Sequence, residues 1–171
     1  MKKKAAVIFA LCLFLTLLNG YCSAQVAGLY PVTFDEKASI KGVGKMTWSE
    51  DGWLEINSSG TWINSWDYQG TTAIDEKGNK LYMEFNAAGI EELEDCLIDW
   101  AYDEASKEGI AAYELNFVVD SIKPVKCKID KKTKKLSKKF KIMAQGIFSG
   151  YLDGEFVNSK FTYKLTVTIL P

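Results

Sequence analysis

The chain has 171 residues, of which 21 are basic and 22 acidic, so its formal net charge is −1. It contains no histidine and no arginine. These absences exclude catalysis by serine–histidine or cysteine–histidine pairs, metal sites built on imidazole, and the forked arginine contacts that proteins make to phosphates and bases. We therefore expect no cofactor and no nucleic-acid partner.

The first 24 residues have the pattern of a cleavable secretory signal peptide. Three lysines precede an apolar stretch at 5–18, and Cys22-Ser23-Ala24 supplies small residues for a signal peptidase. The stretch is shorter than the roughly 20 apolar residues of a membrane-spanning helix. We therefore expect a bacterial protein that is periplasmic or secreted and has no transmembrane segment after cleavage. A lipid anchor on Cys22 is the open alternative.

The remainder, 25–171, predicts a single β-rich domain. Its net charge is −4, because the three signal lysines leave the count of 21 basic residues while all 22 acidic residues stay. Apolar and polar residues alternate at 81–85, 113–119 and 161–169, which is typical of strands with one buried face. Turn residues separate such runs at 50–52, 58–60, 75–79 and 152–154.

These patterns predict a mainly β fold of about eight to ten strands, either an antiparallel β-barrel or a two-sheet β-sandwich. Gly60-Thr-Trp62 is similar to the Gly-x-Trp sequence on the first barrel strand of lipocalins and avidins. The similarity covers these three residues only, so it favours the barrel without indicating either family.

One segment breaks the β pattern. Ile90, Leu93, Leu97 and Trp100 recur at three- and four-residue steps, which predicts an amphipathic α-helix at about 89–108. Gly109 is a suitable residue to end it. The opposite side of the predicted helix is strongly acidic.

Two cysteines follow the signal peptide, Cys96 on the predicted helix and Cys127 beyond it. An even pair in an exported protein predicts one disulfide, two unpaired thiols being the alternative. The bond would bring the acidic helix beside the lysine-rich segment 126–141, which reads as a hairpin. Both charged surfaces are candidates for contact with an envelope protein.

Carboxylates are the only plausible catalytic groups, so glycan hydrolysis is the enzyme activity to consider. It needs two acids that face each other across a cleft. The acids of this sequence cluster on the outer side of the helix or occur singly on strands, so we predict no catalytic residue. The turns at 49–51 and 75–79 lack the spaced oxygen ligands of a calcium loop, so we predict no metal site.

The stretch GTWINSWDYQG at 60–70 carries the candidate binding residues. If it is one strand, Trp62, Asn64, Trp66 and Tyr68 share a face that points inward, because the opposite face is more polar. That face either fills the core or lines a ligand pocket. We expect an exported non-enzymatic β-domain that binds a small amphipathic ligand in its interior. The alternatives are an interaction module that uses a sheet edge, the acidic helix or the lysine-rich hairpin, and a small glycan hydrolase.

Overall fold

Nine antiparallel strands and one α-helix make up the part of the chain that the computed structural model describes, residues 26–123, 125–133 and 135–171. The elements are β1 (Gly28–Ile40), β2 (Gly44–Ile56), β3 (Thr61–Asn64), β4 (Gln69–Ile74), β5 (Lys80–Phe85), α1 (Ala87–Lys107), β6 (Ala112–Lys123), β7 (Val125–Lys128), β8 (Lys139–Leu152) and β9 (Glu155–Ile169). The predicted signal peptide at 1–24 lies outside the described residues.

The strands form one sheet in the order β6-β8-β9-β1-β2-β3-β4-β5-β7, which curls into a nearly closed barrel. Its two edges, β6 and β7, follow each other in the chain. The predicted mainly β fold with about eight to ten antiparallel strands is confirmed, and the barrel is observed rather than the two-sheet sandwich.

Alternating side chains place the core inside this barrel. On β9, Phe161, Tyr163, Leu165 and Val167 are all buried, and the threonines and lysines between them mostly face outward. Phe161 packs edge-on against Phe117 of β6, with ring centroids 5.0 Å apart. Large side chains therefore fill the middle of the barrel, as the alternation predicts.

The beginning of β6 departs from the predicted alternation. Glu114 has a φ of 55°, and the pairing with β8 shifts its register here. The shift turns Tyr113 outward, 42% exposed, where it stacks on Tyr151 at 4.8 Å between ring centroids. Phe117 nevertheless points inward as predicted, because the extra residue re-aims only the strand's first part.

The predicted helix is confirmed, with its start two residues earlier than expected. Asn86 caps it by accepting a hydrogen bond from the Gly89 backbone N–H at 2.8 Å. Leu93 and Leu97 are buried against the barrel core, and the C-terminal half lies beside the β1–β2 hairpin at Met46. The helix thus covers the opening of the barrel. No helix within the described residues has the length and apolar character needed to span a membrane.

A close approach fixes the helix to the sheet. A Cβ on Gly89 would lie 2.1 Å from the backbone oxygen of Gln69 on β4, so only glycine fits at this contact. The Asn86 backbone N–H donates to the same oxygen at 3.2 Å. The first turn of α1 therefore rests directly on β4.

The predicted disulfide between Cys96 and Cys127 is wrong, since both cysteines are free. Cys127 pairs with Leu81 at the start of β5, where its Sγ lies 4.0 Å from the Met83 Sδ. Leu81 lies at one end of the β4–β5 pair, whereas Cys96 is hydrogen-bonded to Tyr68, which directly precedes β4 at the other end. The two cysteines therefore lie at opposite ends of this strand pair, and their Cα atoms would have to lie within about 7 Å to be bridged.

Candidate functional site

The stretch at 60–70 is a strand followed by a tight turn rather than one continuous strand. β3 ends at Asn64, and Asp67 adopts a φ of 59°. The Asn64 Oδ1 accepts hydrogen bonds from the backbone N–H of Trp66 at 3.1 Å and of Tyr68 at 3.0 Å. The buried amide thus holds the turn that presents two aromatic rings.

The four candidate binding residues divide into two layers. Trp62, 2% exposed, and Asn64 lie in the core, where the Trp62 Nε1 donates to the Glu84 backbone oxygen at 3.2 Å. Trp66 and Tyr68 line a cleft between the barrel and the helix. Asn64 holds the turn that carries these two rings, whereas Trp62 packs edge-on against Phe85. Ligand binding by any of the four stays a prediction.

The cleft has a volume of about 180 Å³ and lies where α1 leaves part of the inner face of β2 uncovered. Three structural units supply its lining. They are the β1–β2 pair with Glu36, Trp48 and Glu50, the turn with Trp66 and Tyr68, and α1 with Cys96, Trp100 and Asp103. Glu36 and Trp48 are direct partners in the β1–β2 register, and the three helix residues follow at four- and three-residue steps on one side of α1.

Aromatic rings form the walls. Trp66 packs on Phe34 with ring centroids 4.3 Å apart and meets Tyr68 at 5.7 Å. Gly52 makes room for this stack, because a Cβ there would lie 2.8 Å from the Phe34 ring. Trp48 is 45% exposed at the mouth, and its Nε1 donates to the Glu50 carboxylate at 3.2 Å.

A polar network lies at the base of the cleft. The Tyr163 hydroxyl donates to the Glu36 carboxylate at 2.8 Å, and hydrogen bonds link Tyr163 to Tyr68 and Tyr68 to Cys96. Burial raises the pKa of both tyrosines and of the Cys96 thiol, so these groups are neutral at physiological pH. The titratable groups that face Glu36 are Glu50 on β2, Tyr68 in the turn, Cys96 and Asp103 on α1, and Tyr163 on β9.

Glu36 is the most perturbed acid of the site. Burial raises its pKa from 4.5 to about 7, and the nearby Glu50 carboxylate adds to the rise, while the Tyr163 hydrogen bond opposes it. The carboxyl group is therefore partly protonated at neutral pH. Acids in clefts whose pKa is strongly shifted are candidates for function. The burial of a carboxylate without a counter-charge destabilises the protein, and the fold does not need it.

The sequence analysis did not predict Glu36, Trp48 or Trp100 as residues of the binding site. A signal for Glu36 was present, since it interrupts the inward-facing series Val32, Phe34, Ala38 and Ile40 with a carboxylate. The positions of Trp48 and Trp100 depend on how α1 crosses the barrel, which no local pattern indicates.

Charge is also divided over the outer surface. One row of paired residues crosses the outer face of four strands: Lys37 on β1, Lys164 on β9, Met143 on β8 and Lys123 on β6. A row of hydroxyl and amide side chains runs beside it and shares a shallow depression of about 320 Å³: Ser39, Thr162, Gln145 and Ser121. The exposed side of α1 is acidic, and the ion pair within the described residues joins Lys107 and Glu104 at 2.6 Å.

The described residues hold no group of three or more cysteine, aspartate or glutamate side chains arranged to bind a metal ion. Comparisons with known protein families, with curated proteins and with solved structures found no match. Fold and cleft thus define the class of molecule, a nine-stranded barrel with a helix across its opening. Its function has to be argued from the cleft itself.

Proposed function

We propose that this protein binds a small amphipathic molecule without converting it, and that the cleft under α1 holds the head of that molecule. One observation carries the proposal: aromatic walls and a part-buried carboxylate converge in one cleft. Large rings supply apolar contact area and a few polar groups fix orientation, which is the usual composition of small-molecule sites.

The size of the cleft sets the mode of binding. Sites for drug-sized ligands have volumes of roughly 300–1,000 Å³, and this cleft has about 180 Å³. The barrel beneath it is filled by buried rings such as Trp62, Phe117 and Phe161. The ligand therefore inserts a head group and leaves the rest of its length on the rim.

Tryptophan fluorescence tests the proposal directly, because three of the five tryptophans line the cleft. Hexyl amphiphiles with trimethylammonium, hydroxyl and sulfate heads are titrated below their micelle concentrations. We expect at least one to change the emission in a saturable way. Trp48→Ala should abolish that binding, whereas Trp53→Ala should not, since Trp53 is 37% exposed on the outer face of the same strand. Absence of saturable binding by all three amphiphiles, or equal loss in both variants, would contradict the proposal.

A second candidate function is glycan hydrolysis, favoured by the presence of two carboxylates in the cleft. Glu36 pairs with Trp48 and Glu50 with Phe34, so the two acids are diagonal neighbours on the inner face of β1 and β2. Such neighbours are about 7–8 Å apart, inside the roughly 6.5–9.5 Å range of inverting glycosidases. Release of reducing ends from a panel of polysaccharides, lost in both Glu36→Gln and Glu50→Gln, would support this function. No release by the unmodified protein would remove it.

A further inference from the structure

We propose that the head group bound in the cleft is an organic cation, a quaternary or primary ammonium. This inference rests on the proposed function, whose ligand class it specifies. It follows from the charges that line the cleft, from its aromatic rings and from the position of Lys107 over one of them.

The charged groups that line the cleft are all acids. Glu36, Glu50 and Asp103 converge from β1, β2 and α1, and no lysine is among the lining residues. A positive head would relieve the repulsion between Glu36 and Glu50, whereas a sulfate or carboxylate head would add to it. The charge of the site therefore selects against anions.

The aromatic rings favour the same ligand. A cation is attracted to the negative face of an indole or phenol ring, and the attraction grows when the cation leaves water. Trp48, Trp66, Trp100 and Tyr68 surround one small space. A quaternary ammonium buries its methyl groups against such rings without requiring a hydrogen-bond acceptor for each of them.

A cation of the protein itself already lies over one ring of the cleft. The Lys107 Nζ lies 5.8 Å from the centroid of the Trp48 ring, while its ion pair with Glu104 holds it on α1. Lys107 is exposed and does not enter the cleft. A bound ammonium would thus be a second cation close to this lysine, and the lysine would weaken its binding.

Burial of Glu36 provides the last step. Its raised pKa measures how poorly the apolar surroundings solvate the ionised carboxylate. A cation in the cleft would supply the missing counter-charge. Without a counter-charge, the ionised Glu36 destabilises the folded protein. A bound cation would relieve this cost, and the free energy released would contribute to affinity.

The test makes two matched comparisons: choline with its neutral isostere, in which a carbon atom replaces the nitrogen, and the hexyl trimethylammonium amphiphile with the hexyl sulfate used above. Shape is constant in the first pair and the tail is constant in the second, so each difference in affinity reports on the head group. We expect choline to bind about tenfold more tightly than the isostere, and the sulfate to bind more weakly than the trimethylammonium amphiphile. Calorimetry or tryptophan fluorescence at low ionic strength measures all four.

Two variants and one control sharpen the test. Glu50→Gln should weaken choline about threefold and leave the isostere unchanged, because the amide keeps an acceptor for the Trp48 Nε1 but removes the charge. Lys107→Gln should strengthen choline by a similar factor. Glu55→Gln should change neither, since Glu55 is exposed on the outer face of the same strand.

The outcomes separate this inference from the proposed function. Equal affinity for choline and the isostere, or preference for the sulfate, would overturn the cation inference while the cleft remained a binding site. If the hexyl amphiphiles also fail to bind, the proposed function falls with it. Choline binding that Glu50→Gln and Lys107→Gln leave unchanged would overturn the assignment to this cleft.

Discussion

Replacing Glu36 with glutamine should stabilise the protein at pH 8 and have little effect at pH 4.5. The folded state raises the pKa of this acid to about 7 from its ordinary 4.5, so folding favours the protonated form. For an acid whose pKa is raised, stability is highest at low pH and is lost as pH rises from the unfolded pKa through the folded one. The glutamine side chain remains neutral throughout and can accept the Tyr163 hydrogen bond.

The magnitude follows from the two pKa values. Their separation corresponds to about 3 kcal/mol, most of it lost between about pH 4.5 and pH 7.5. At pH 8, Glu36→Gln should therefore raise the free energy of unfolding by about 3 kcal/mol, or the melting temperature by about 6–12 °C. At pH 4.5 the difference should fall to a few tenths of a kcal/mol.

Urea unfolding followed by far-UV circular dichroism at several pH values measures this difference. Glu55→Gln serves as the control, because its exposed carboxylate should give the same pH dependence as the unmodified protein. Other acids contribute to the absolute curves, so the quantity that matters is the variant minus the unmodified protein. A difference that is constant with pH, or that grows toward low pH, would refute the reasoning.

Three further predictions concern the cleft, the helix contact and the cysteines. Choline affinity should rise about three- to tenfold between pH 6 and pH 8 as Glu36 ionises, whereas the neutral isostere should show no such rise; calorimetry in matched buffers checks both. Gly89→Ala should destabilise the protein by about 2 kcal/mol in urea unfolding, because the added Cβ meets the Gln69 oxygen. Glycine-to-alanine changes usually stabilise helices, so a gain in stability would contradict this contact. The mass of the intact protein should be the same with and without reductant, and a two-dalton difference would show that Cys96 and Cys127 are bridged after all. Burial raises the pKa of the Cys127 thiol to about 12, so this cysteine should react with iodoacetamide only after unfolding.

Local pattern determines much of the barrel but little of the cleft. Alternation places Phe161 and Trp62 inward, and three of the four predicted turns occur where glycine and polar residues cluster. The fourth does not, since Gly52 lies inside β2. The glycine is needed there because the Phe34 ring approaches the backbone, and that contact arises only when β1 and β2 have paired. A glycine that makes room for a ring and one that makes a turn look the same in sequence.

The helix shows the same limit over longer range. Its periodicity predicts its length and its buried side, yet the contact of Gly89 on Gln69 decides how it crosses the barrel. That crossing brings Trp100 and Asp103 opposite Trp48 and separates Cys96 from Cys127. An even number of cysteines indicates that a bridge is possible and says nothing about the distance between them. The cleft is therefore a product of tertiary packing, and of its aromatic walls the sequence predicts only Trp66 and Tyr68 as binding residues.

The uneven charge of the outer surface has a consequence for how fast a ligand arrives. The lysine row lies on the outer face of β1, β9 and β6, whereas the acidic side of α1 borders the cleft. The acids that line the cleft give its mouth a negative electric potential. Cations are drawn toward the cleft and anions are repelled from it before any contact forms, over a distance of about 8 Å at physiological salt. Added salt should thus slow association more than it speeds dissociation.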